Sequence, residues 1–514
     1  MTNNLGLFLT KRAHLSPDLE GFVGTGSGLR LSFSELNRRS NRTANMLTGL
    51  GVKKGDRVAL LLMNDIEFVE SFFAIAKLGG VVVPLNWRLV GDELAFILDD
   101  SGASTLIFGH EFAELSADLQ ARTRECRGIK NWLVAGDVAP AAGVSSYKAL
   151  CEAASDEEPR TGAADDDELY IMYTSGTTGL PKGAVHTHDS AMWACITINA
   201  TADTHYGDRY LVALPLFHVG ALTPMVANVY GGATSIVMYQ FDPVRVWEIV
   251  EEERLSSMLA VPAMLNFMLQ AGGHDKVDHS RLRWVMSGAA PVPVTLIEAY
   301  AELGIEIHQV YGLTETCGPA CLISPEDAIR KAGSTGKPFF HTEVRVIDDS
   351  GAELPAGEMG EVIISGRHLM KGYWNRPDAT AEALRDGWLH SGDLASMDGD
   401  GFVYIQDRKK DMIISGGENV YPAEIENVIL SHPEVRDVAV VGLPSEKWGE
   451  SPLAVVVAGA EGLAAESVIE HCKGRLARFK LPRTVEFVDE IPRNPTGKIL
   501  KRVLRERFPG PAPE

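Results

Sequence analysis

Apolar runs of two lengths alternate along the first part of the chain. The run Arg57–Met63 predicts a buried strand, Ile66–Leu78 predicts an apolar helix, and Gly79–Pro84 predicts a turn followed by a second strand. This order of strand, helix and strand favours a parallel sheet covered by helices. Further strands of the same kind are predicted at Leu169–Tyr173, Tyr210–Leu214, Ala233–Met238 and Arg283–Met286.

The pattern changes after about residue 340. Short runs bounded by turn residues predict a smaller β-rich subdomain. Its expected strands are Glu343–Ile347, Gly360–Ile364 and Gly401–Ile405.

A compact unit of both element types is predicted beyond residue 410. Its expected elements are helix Pro422–Leu430, strand Val438–Gly442, strand Leu453–Ala458 and helix Ala464–Leu476. We therefore expect an α/β protein with a large N-terminal domain, residues 1–408, and a small α+β C-terminal domain, residues 409–514. The N-terminal domain would contain helix-covered sheets and the β-rich subdomain.

Composition narrows the classes of function. A formal net charge of −21 on 514 residues opposes wholesale nucleic-acid binding, because phosphate contacts need a basic face. The six cysteines form no CxxC pair, which indicates reduced thiols in a cytoplasmic protein. No apolar run reaches the ~18 residues of a membrane span. We expect a soluble protein, with peripheral membrane contact and homo-oligomerisation left open.

A segment rich in glycine and hydroxyl groups, Tyr173–Gly183, follows one of the predicted strands. Glycines let backbone amides approach a ligand closely, and hydroxyls and a lysine add donors and charge, as a polyphosphate requires. The spacing is not that of a Walker A loop, and by composition alone a hydroxyl-rich hairpin fits equally well. The candidate phosphate-binding residues are Thr174, Ser175, Gly176, Thr177, Thr178, Gly179 and Lys182.

Taken as a whole string, this segment resembles the signature of the adenylate-forming superfamily, which includes acyl-CoA synthetases, luciferases and peptide-synthetase adenylation domains. Four further segments match in the family's order, so the resemblance covers essentially the whole chain. They are Tyr311–Thr316, Ser391–Leu394, Asp407–Asp411 with Ser415–Asn419, and Pro495–Ile499. The sequence looks most similar to bacterial long- and very-long-chain fatty-acid–CoA ligases. The resemblance implies an ATP-dependent acyl-CoA ligase.

The resemblance also assigns a nucleotide site. It implies that Asp393 accepts the ribose hydroxyls and that Arg408 contacts the ribose or a phosphate. Without this context, both would be interpreted as solvated charges. A turn formed by Gly288, Ala289 and Ala290 resembles the one that flanks the adenine base, although any tight strand-to-helix turn has a similar pattern.

The Tyr311–Thr316 motif implies further contacts. Tyr311 would stack on the adenine beside Gly312, and Thr314 would reach the phosphate. Glu315 would contact Mg²⁺, which commonly binds through one or two carboxylates plus substrate phosphates. The expected ligands are therefore ATP and Mg²⁺, with coenzyme A as co-substrate and a small carboxylic acid as substrate.

The family resemblance implies chemistry in two halves. Lys498 would bridge the carboxylate and the α-phosphate during adenylation. Without the family context, it would be interpreted as a surface lysine in a basic tail. The mobile C-terminal domain would then rotate about Lys410. The rotation would bring Gly416 and Gly417 to border a narrow pantetheine channel.

Two aromatic residues are weaker candidates. His218, in the segment Pro215–Gly220, matches a family motif beside the acyl pocket and would form a wall or gate there. Trp448 would stack on the adenine of coenzyme A, and a simple surface tryptophan is an equal alternative. We also expect Trp193 and Val310–Gly312 among the pocket walls.

Several alternatives remain open at this level. The acid is expected to be a fatty acid, with aryl acids of the feruloyl or coumaroyl type as the alternative. A second alternative is an adenylate-forming ligase that loads a carrier protein. A non-catalytic nucleotide-binding protein on the same fold would be expected to lack Lys498 or Glu315, and both are present.

Overall fold

A computed structural model of the chain describes residues 4–122, 126–160, 162–174, 181–290, 292–408, 411–415, 418–445, 449–460, 462–473, 475–476, 478–493 and 499–509. The strands in this part of the chain are β1 (Glu20–Gly24), β2 (Arg30–Ser32), β3 (Arg57–Leu61), β4 (Val81–Pro84), β5 (Thr105–Gly109), β6 (Asn131–Ala135), β7 (Ser145–Ser146), β8 (Glu168–Thr174), β9 (Lys182–Thr187), β10 (Arg209–Val212), β11 (Thr234–Val237), β12 (Ser257–Ala260), β13 (Trp284–Ser287), β14 (Glu306–Tyr311), β15 (Cys321–Leu322), β16 (Lys337–Pro338), β17 (Glu343–Ile347), β18 (Met359–Ser365), β19 (Gly372–Tyr373), β20 (Leu384–Arg385), β21 (Trp388–Met397), β22 (Val403–Arg408), β23 (Ile413–Ser415), β24 (Glu418–Val420), β25 (Val435–Ser445), β26 (Gly449–Ala458) and β27 (Thr484–Phe487).

The helices of the described residues lie between these strands in the expected alternation. They are α1 (Leu7–Leu15), α2 (Phe33–Gly49), α3 (Ile66–Leu78), α4 (Gly91–Ser101), α5 (Ala113–Ala121), α6 (Tyr147–Ala153), α7 (His188–Thr201), α8 (Val219–Gly231), α9 (Pro243–Glu252), α10 (Pro262–Ala271), α11 (Val294–Glu302), α12 (Pro377–Ala383), α13 (Pro422–Leu430), α14 (Ala465–Cys472) and α15 (Lys501–Arg507).

Two large sheets make up most of the N-terminal part. The nine-stranded sheet has the order β16-β15-β14-β13-β12-β10-β11-β1-β2, and the eight-stranded sheet has the order β19-β9-β8-β4-β3-β5-β6-β7. Their central strands run parallel, as β12, β13 and β14 do, and antiparallel pairs such as β8 with β9 lie towards the edges. The predicted parallel sheets with helical crossovers are confirmed.

Helices α2, α3, α7 and α8 contribute buried side chains to the largest apolar cluster, which also contains residues of both large sheets. The outer face of the nine-stranded sheet packs against α9, α10 and α11. The other face of the eight-stranded sheet packs against α4 and α5. Each sheet thus buries both faces, which explains why its strands are continuous apolar runs rather than alternating ones. Helix α3 is buried along almost its whole length.

Local signals fix the ends of these helices. Helix α3 begins after Asp65, whose carboxylate accepts a hydrogen bond from the backbone amide of Ile66 (2.8 Å). It ends at Gly79, whose φ of 72° lies in the left-handed region that glycine adopts without strain. Helix α9 begins with Pro243. The preceding residue, Asp242, caps the helix by accepting hydrogen bonds from two backbone amides of the first turn.

The remaining strands form two small sheets. An antiparallel sheet of β17, β18, β21, β20 and β22 is the predicted β-rich subdomain. A second sheet of β24, β23, β26, β25 and β27 packs against α13, α14 and α15. One predicted helix is shorter than expected, since α14 ends at Cys472 and Lys473 already has extended backbone (φ −65°, ψ 135°). No helix among the described residues is long and apolar enough to cross a membrane.

A buried lysine joins α3 to α2 and to the segment before β8. The side chain of Lys77 is 0% exposed, and its ammonium donates to Asn37 Oδ1 (2.7 Å), Asn41 Oδ1 (2.6 Å) and Glu158 Oε1 (2.8 Å). Burial lowers the pKa of Lys77, while the hydrogen bond to Glu158 opposes that shift. Three acceptors therefore compensate the desolvated charge.

We predict that Lys77→Ala lowers the free energy of unfolding by about 3 kcal/mol, because it leaves a carboxylate and two amide oxygens without their buried cation. Urea denaturation followed by circular dichroism measures the loss. The exposed Lys130 is the control, and Lys130→Ala should change stability by less than about 0.5 kcal/mol. Equal effects of the two substitutions would contradict this account of the buried network.

Candidate active site

The predicted phosphate-binding segment lies in the chain between two paired strands. Strand β8 ends at Thr174 and β9 begins at Lys182, and these two residues are opposite each other in an antiparallel pair. The hydroxyl of Thr174 donates to the carbonyl of Lys182 (3.3 Å), which holds the two strand ends together. The rest of the predicted phosphate-binding set lies outside the described residues, namely Ser175, Gly176, Thr177, Thr178 and Gly179.

Glu315 lies beside this hairpin. It belongs to a short 3-10 helix, Thr314–Thr316, that follows β14. The hydroxyl of Tyr373 donates to Glu315 Oε1 (2.6 Å), and the Lys182 ammonium lies 5.2 Å from the centroid of the same tyrosine ring. Tyr373 therefore links the proposed metal contact to the cation of the phosphate-binding segment. Sequence reasoning missed Tyr373.

A buried histidine fixes the backbone of Thr314. His186 lies on β9, and its Nε2 donates to the carbonyl of Thr314 (2.7 Å). Burial lowers the pKa of His186 to about 4, so the ring is neutral at physiological pH. Its neutral state suits a donor that only holds a loop in place. Sequence reasoning missed this residue as well.

The predicted adenine and ribose contacts are joined by one hydrogen bond. The hydroxyl of Tyr311 donates to Asp393 Oδ2 (2.6 Å), and Asp393 is 4% exposed. Asp393 on β21 is also the backbone partner of Arg408 on β22. The three predicted nucleotide residues, which are distant in sequence, therefore lie together.

Close backbone approaches shape the turn predicted to flank the base. A Cβ added at Gly312 would lie 1.4 Å from the carbonyl oxygen of Gly318, and one at Gly288 would lie 2.2 Å from that of Val310. Neither position therefore tolerates a side chain. Ala289, which precedes Ala290, has a φ of 66°, a left-handed conformation that costs an alanine about 1–2 kcal/mol. Strain of this kind is typical of ligand-binding turns.

A cavity of about 160 Å³ begins at this turn and runs along the face of the nine-stranded sheet beneath α7 and α8. Its volume is roughly ten times what one water molecule requires. Small residues on α8, including Gly220, Ala227 and Gly231, leave the space open. Val310 and Gly312 are among the lining residues, as predicted, whereas Trp193 and His218 are not. The ring of Trp193 lies instead against His341 and beneath Arg367.

His218 caps the start of α8 through its backbone. Its ring packs on Phe217, with 4.4 Å between the ring centroids, and its Nε2 is buried with no hydrogen-bond partner. Burial, reinforced by the charge of Arg88, lowers the pKa of His218 to about 3. The ring is therefore neutral at physiological pH. Its role as an acyl-site gate stays a prediction.

The residues assigned to the second half of the chemistry lie outside the described part of the chain. They are Lys410, Gly416, Gly417, Trp448 and Lys498. Arg493 and Ile499, which precede and follow Lys498 in the chain, form an antiparallel bridge. Arg493 also donates to both carboxylate oxygens of Asp437 on β25 (2.7 and 3.0 Å). Arg493, and through it Ile499, is thus attached to the C-terminal sheet.

No group of three or more His, Cys, Asp or Glu side chains suited to a metal ion occurs among the described residues. Mg²⁺ carried by ATP does not require such a group, because substrate phosphates supply most of its ligands. A single carboxylate held by a hydrogen bond beside a lysine, as Glu315 is, fits that mode of binding.

Comparisons with known proteins agree with this geometry. The model of the AMP-binding enzyme family matches residues 9–374, and that of the AMP-binding enzyme C-terminal domain matches residues 424–498. The long-chain-fatty-acid–CoA ligase FadD13 of Mycobacterium tuberculosis is 47% identical over 511 residues, covering 99% of this chain and 100% of that protein. Feruloyl-CoA synthase of an Amycolatopsis species is 42% identical over 506 residues, covering 98% of this chain and 99% of that protein.

A solved structure agrees as well. The o-succinylbenzoate coenzyme A synthetase MenE of Bacillus subtilis, in complex with ATP and magnesium ion, superposes with a TM-score of 0.86 at 33% identity, covering 98% of this chain and 99% of that chain. The first family model alone spans well over half of the 514 residues. The chain therefore belongs to the AMP-binding enzyme family.

Proposed function

We propose that the protein is an ATP-dependent acyl-CoA ligase. It joins a carboxylic acid to AMP with release of pyrophosphate, and then transfers the acyl group to the thiol of coenzyme A with release of AMP. The observation that carries the proposal is that Tyr373 contacts both Lys182, through its ring, and Glu315, through its hydroxyl. In the same protein, the hydroxyl of Tyr311 donates to Asp393. FadD13 and feruloyl-CoA synthase, both of which the chain matches over nearly its whole length, are named as enzymes of this class.

The first step needs a carboxylate in line with the α-phosphorus and compensation for the negative charge that develops there. In our proposal, the cavity holds the acyl chain and the turn at Gly288 and Gly312 places the carboxylate beside the nucleotide. Lys182 and the hydroxyls of the phosphate-binding segment bind the phosphates. Lys498 bridges the carboxylate and the α-phosphate, where a fixed positive charge lowers the barrier most.

When bound with ATP, Mg²⁺ would offset part of the phosphate charge, and Glu315 is the residue that would hold it. Tyr373 orients the Glu315 carboxylate, and His186 fixes the backbone of the residue before it. Hydrogen bonds that orient a metal-binding side chain strongly affect metal affinity in many proteins. The MenE structure with ATP and magnesium ion supports this part of the proposal.

The second step needs room for a thiol where Lys498 acted. We propose that residues 409–514 rotate about Lys410, so that Gly416 and Gly417 border the pantetheine channel and Trp448 stacks on the adenine of coenzyme A. The C-terminal family model begins at residue 424, beyond the proposed boundary. The reaction takes place in the cytoplasm in this proposal.

A fatty acid is our proposed substrate class. The cavity is lined mainly by apolar side chains, among them Leu214, Leu259 and Met286. The FadD13 name supports an aliphatic chain, while the 42% identity to feruloyl-CoA synthase favours aryl acids as the second candidate.

A panel of acids from acetate to hexacosanoate, with ferulate added, tests the proposed function by AMP release in the presence of coenzyme A. We predict that saturated fatty acids lead, with kcat/KM more than about tenfold above that for acetate, because each buried methylene contributes about 0.8 kcal/mol. A preference for ferulate would replace the substrate class and keep the ligase. AMP release that needs a carrier protein instead of coenzyme A would contradict the proposed acceptor.

Lys498→Ala separates the two half-reactions. We predict a loss of at least about 100-fold in acyl-adenylate formation, since one fixed charge at the reacting phosphate is worth that much. Thioester formation from supplied acyl-AMP should be largely spared. The control is Lys473→Ala, at an exposed lysine of the same basic tail that pairs with Glu470. Equal loss of both half-reactions in Lys498→Ala would show that its role is misassigned.

Tyr373→Phe tests the support of Glu315. We predict that the Mg²⁺ concentration for half-maximal adenylation rises about tenfold, because the carboxylate loses the hydrogen bond that orients it. Tyr404→Phe also removes a tyrosine–carboxylate hydrogen bond, a longer one (3.3 Å) to Asp398 in the β-rich subdomain, and serves as control. A Tyr373→Phe enzyme with the Mg²⁺ dependence of the Tyr404→Phe enzyme would exclude this role.

A further inference from the structure

The far end of the cavity contains a buried phenol without a partner. Tyr210, at the start of β10, lines the cavity and is 5% exposed. Its hydroxyl is buried and has no hydrogen-bond partner. Burial raises the pKa of Tyr210 above its ordinary value, so the group is a protonated donor at neutral pH. An unsatisfied hydroxyl is costly in a folded protein, which makes this position a candidate contact for a ligand.

Besides Tyr210, the uncharged polar side chains of Asn199, Thr204 and Asn228 line the cavity among mainly apolar residues. His205 also lines the cavity, and its Nε2 lies 3.2 Å from Asp203 Oδ1. No lysine or arginine is among the residues that line the cavity in the described part of the chain. A neutral oxygen suits these surroundings, whereas a second carboxylate would be buried without a cation.

Strand register gives the distance between the two ends of the cavity. Tyr210 on β10 and Trp284 on β13 are both opposite Ser257 on β12, so they lie in one row across the sheet. Gly288, at the nucleotide end, lies four residues beyond Trp284. At ~3.3 Å per residue this is about 13 Å along the strand direction, apart from the sideways offset of two strand spacings between β10 and β13. An extended carbon chain with bonds of about 1.5 Å at about 111° advances roughly 1.25 Å per carbon, so about ten carbons cover that distance.

Given the proposed ligase function, we propose that, between acids of the same carbon skeleton, the enzyme prefers the one that carries a neutral oxygen, a hydroxyl or a carbonyl, at the end away from the carboxylate, and that Tyr210 donates a hydrogen bond to it. Tyr210 is then a specificity-determining residue of the acyl site. The oxygen can belong to an alkyl chain oxygenated at its far end or to an aryl acid with a ring hydroxyl. Both have the same chemistry at this point of the cavity.

The substitution Tyr210→Phe tests the proposal because it removes only the hydroxyl. Two matched pairs of acids are compared by kcat/KM for AMP release with coenzyme A, namely decanoate with ω-hydroxydecanoate, and cinnamate with para-hydroxycinnamate. Sebacate, a dicarboxylate of the same length as decanoate, tests the exclusion of charge. Tyr300→Phe is the control, since the buried hydroxyl of Tyr300 donates to the carbonyl of Leu265 (2.9 Å) outside the cavity lining.

We expect Tyr210→Phe to lower kcat/KM about tenfold for at least one hydroxylated acid, because the substitution removes one hydrogen bond to that acid. It should raise kcat/KM for the plain acid of that pair, which no longer faces an unpaired hydroxyl. The pair that responds identifies the alkyl or the aryl skeleton. Tyr300→Phe should change both members of each pair by the same factor. Tyr210→Phe should also unfold at the same temperature as the native protein or higher, because it removes an unsatisfied group.

Three results would overturn the inference. They are an equal response of both members in both pairs, a sebacate rate above that of ω-hydroxydecanoate, or a lowered unfolding temperature for Tyr210→Phe, which would reveal an internal partner for the hydroxyl. Failure of the ligase proposal looks different. In that case no acid releases AMP with the native enzyme, whatever group it carries at its far end.

Discussion

The site depends on the place where the two large sheets meet. The Thr314–Thr316 helix extends the nine-stranded sheet, and β9 and β19 belong to the eight-stranded sheet. Three hydrogen bonds cross between them, from His186 to the carbonyl of Thr314, from Tyr373 to the carboxylate of Glu315, and from the amide of Met370 to the carbonyl of Glu315. The carboxylate of Glu315 is thereby fixed at the hydroxyl of Tyr373, whose ring lies 5.2 Å from the Lys182 ammonium.

The shape of the cavity proposed to hold the acyl chain follows from the same arrangement. Helices α7 and α8 contribute to the apolar cluster that contains residues of both sheets, and the cavity lies between these helices and the nine-stranded sheet. The end proposed to face the nucleotide is formed by positions that exclude side chains, Gly288 and Gly312. The strained Ala289 lies next to them, so conformational energy is stored where the ligand would bind. Specificity at the opposite end then depends on polar groups such as Tyr210.

Much of this could be predicted from the sequence because its signals are local. The bounds of α3 follow from one apolar run between Asp65 and Gly79, and they are confirmed. Membership of the family follows from ordered motifs and is confirmed too, as is the α/β fold. The predicted end of α14 at Leu476 was wrong, because the apolar pattern continues to that residue while the backbone leaves the helix at Lys473. The domain boundary and the roles of the site residues stay predictions.

The parts that sequence reasoning missed depend on contacts between distant residues. Tyr373 and Glu315 are 58 residues apart, and His186 and Thr314 are 128 apart. No period or motif indicates that such pairs meet. Trp193 illustrates the reverse error, a contact that was predicted but does not form. It belongs to α7, which contributes other residues to the cavity lining, but its own ring packs beneath Arg367. The unpaired hydroxyl of Tyr210 is visible only once every neighbour of that ring is known.

Exchange of labelled pyrophosphate into ATP tests the central claim most directly, because it reports reversal of the adenylation step alone. The account predicts that label enters ATP when Mg²⁺ and a suitable acid are present, without coenzyme A, and that omission of the acid stops the exchange. If the purified protein exchanges no label with any acid from a broad aliphatic and aryl set, the claim that this site forms an acyl-adenylate is contradicted.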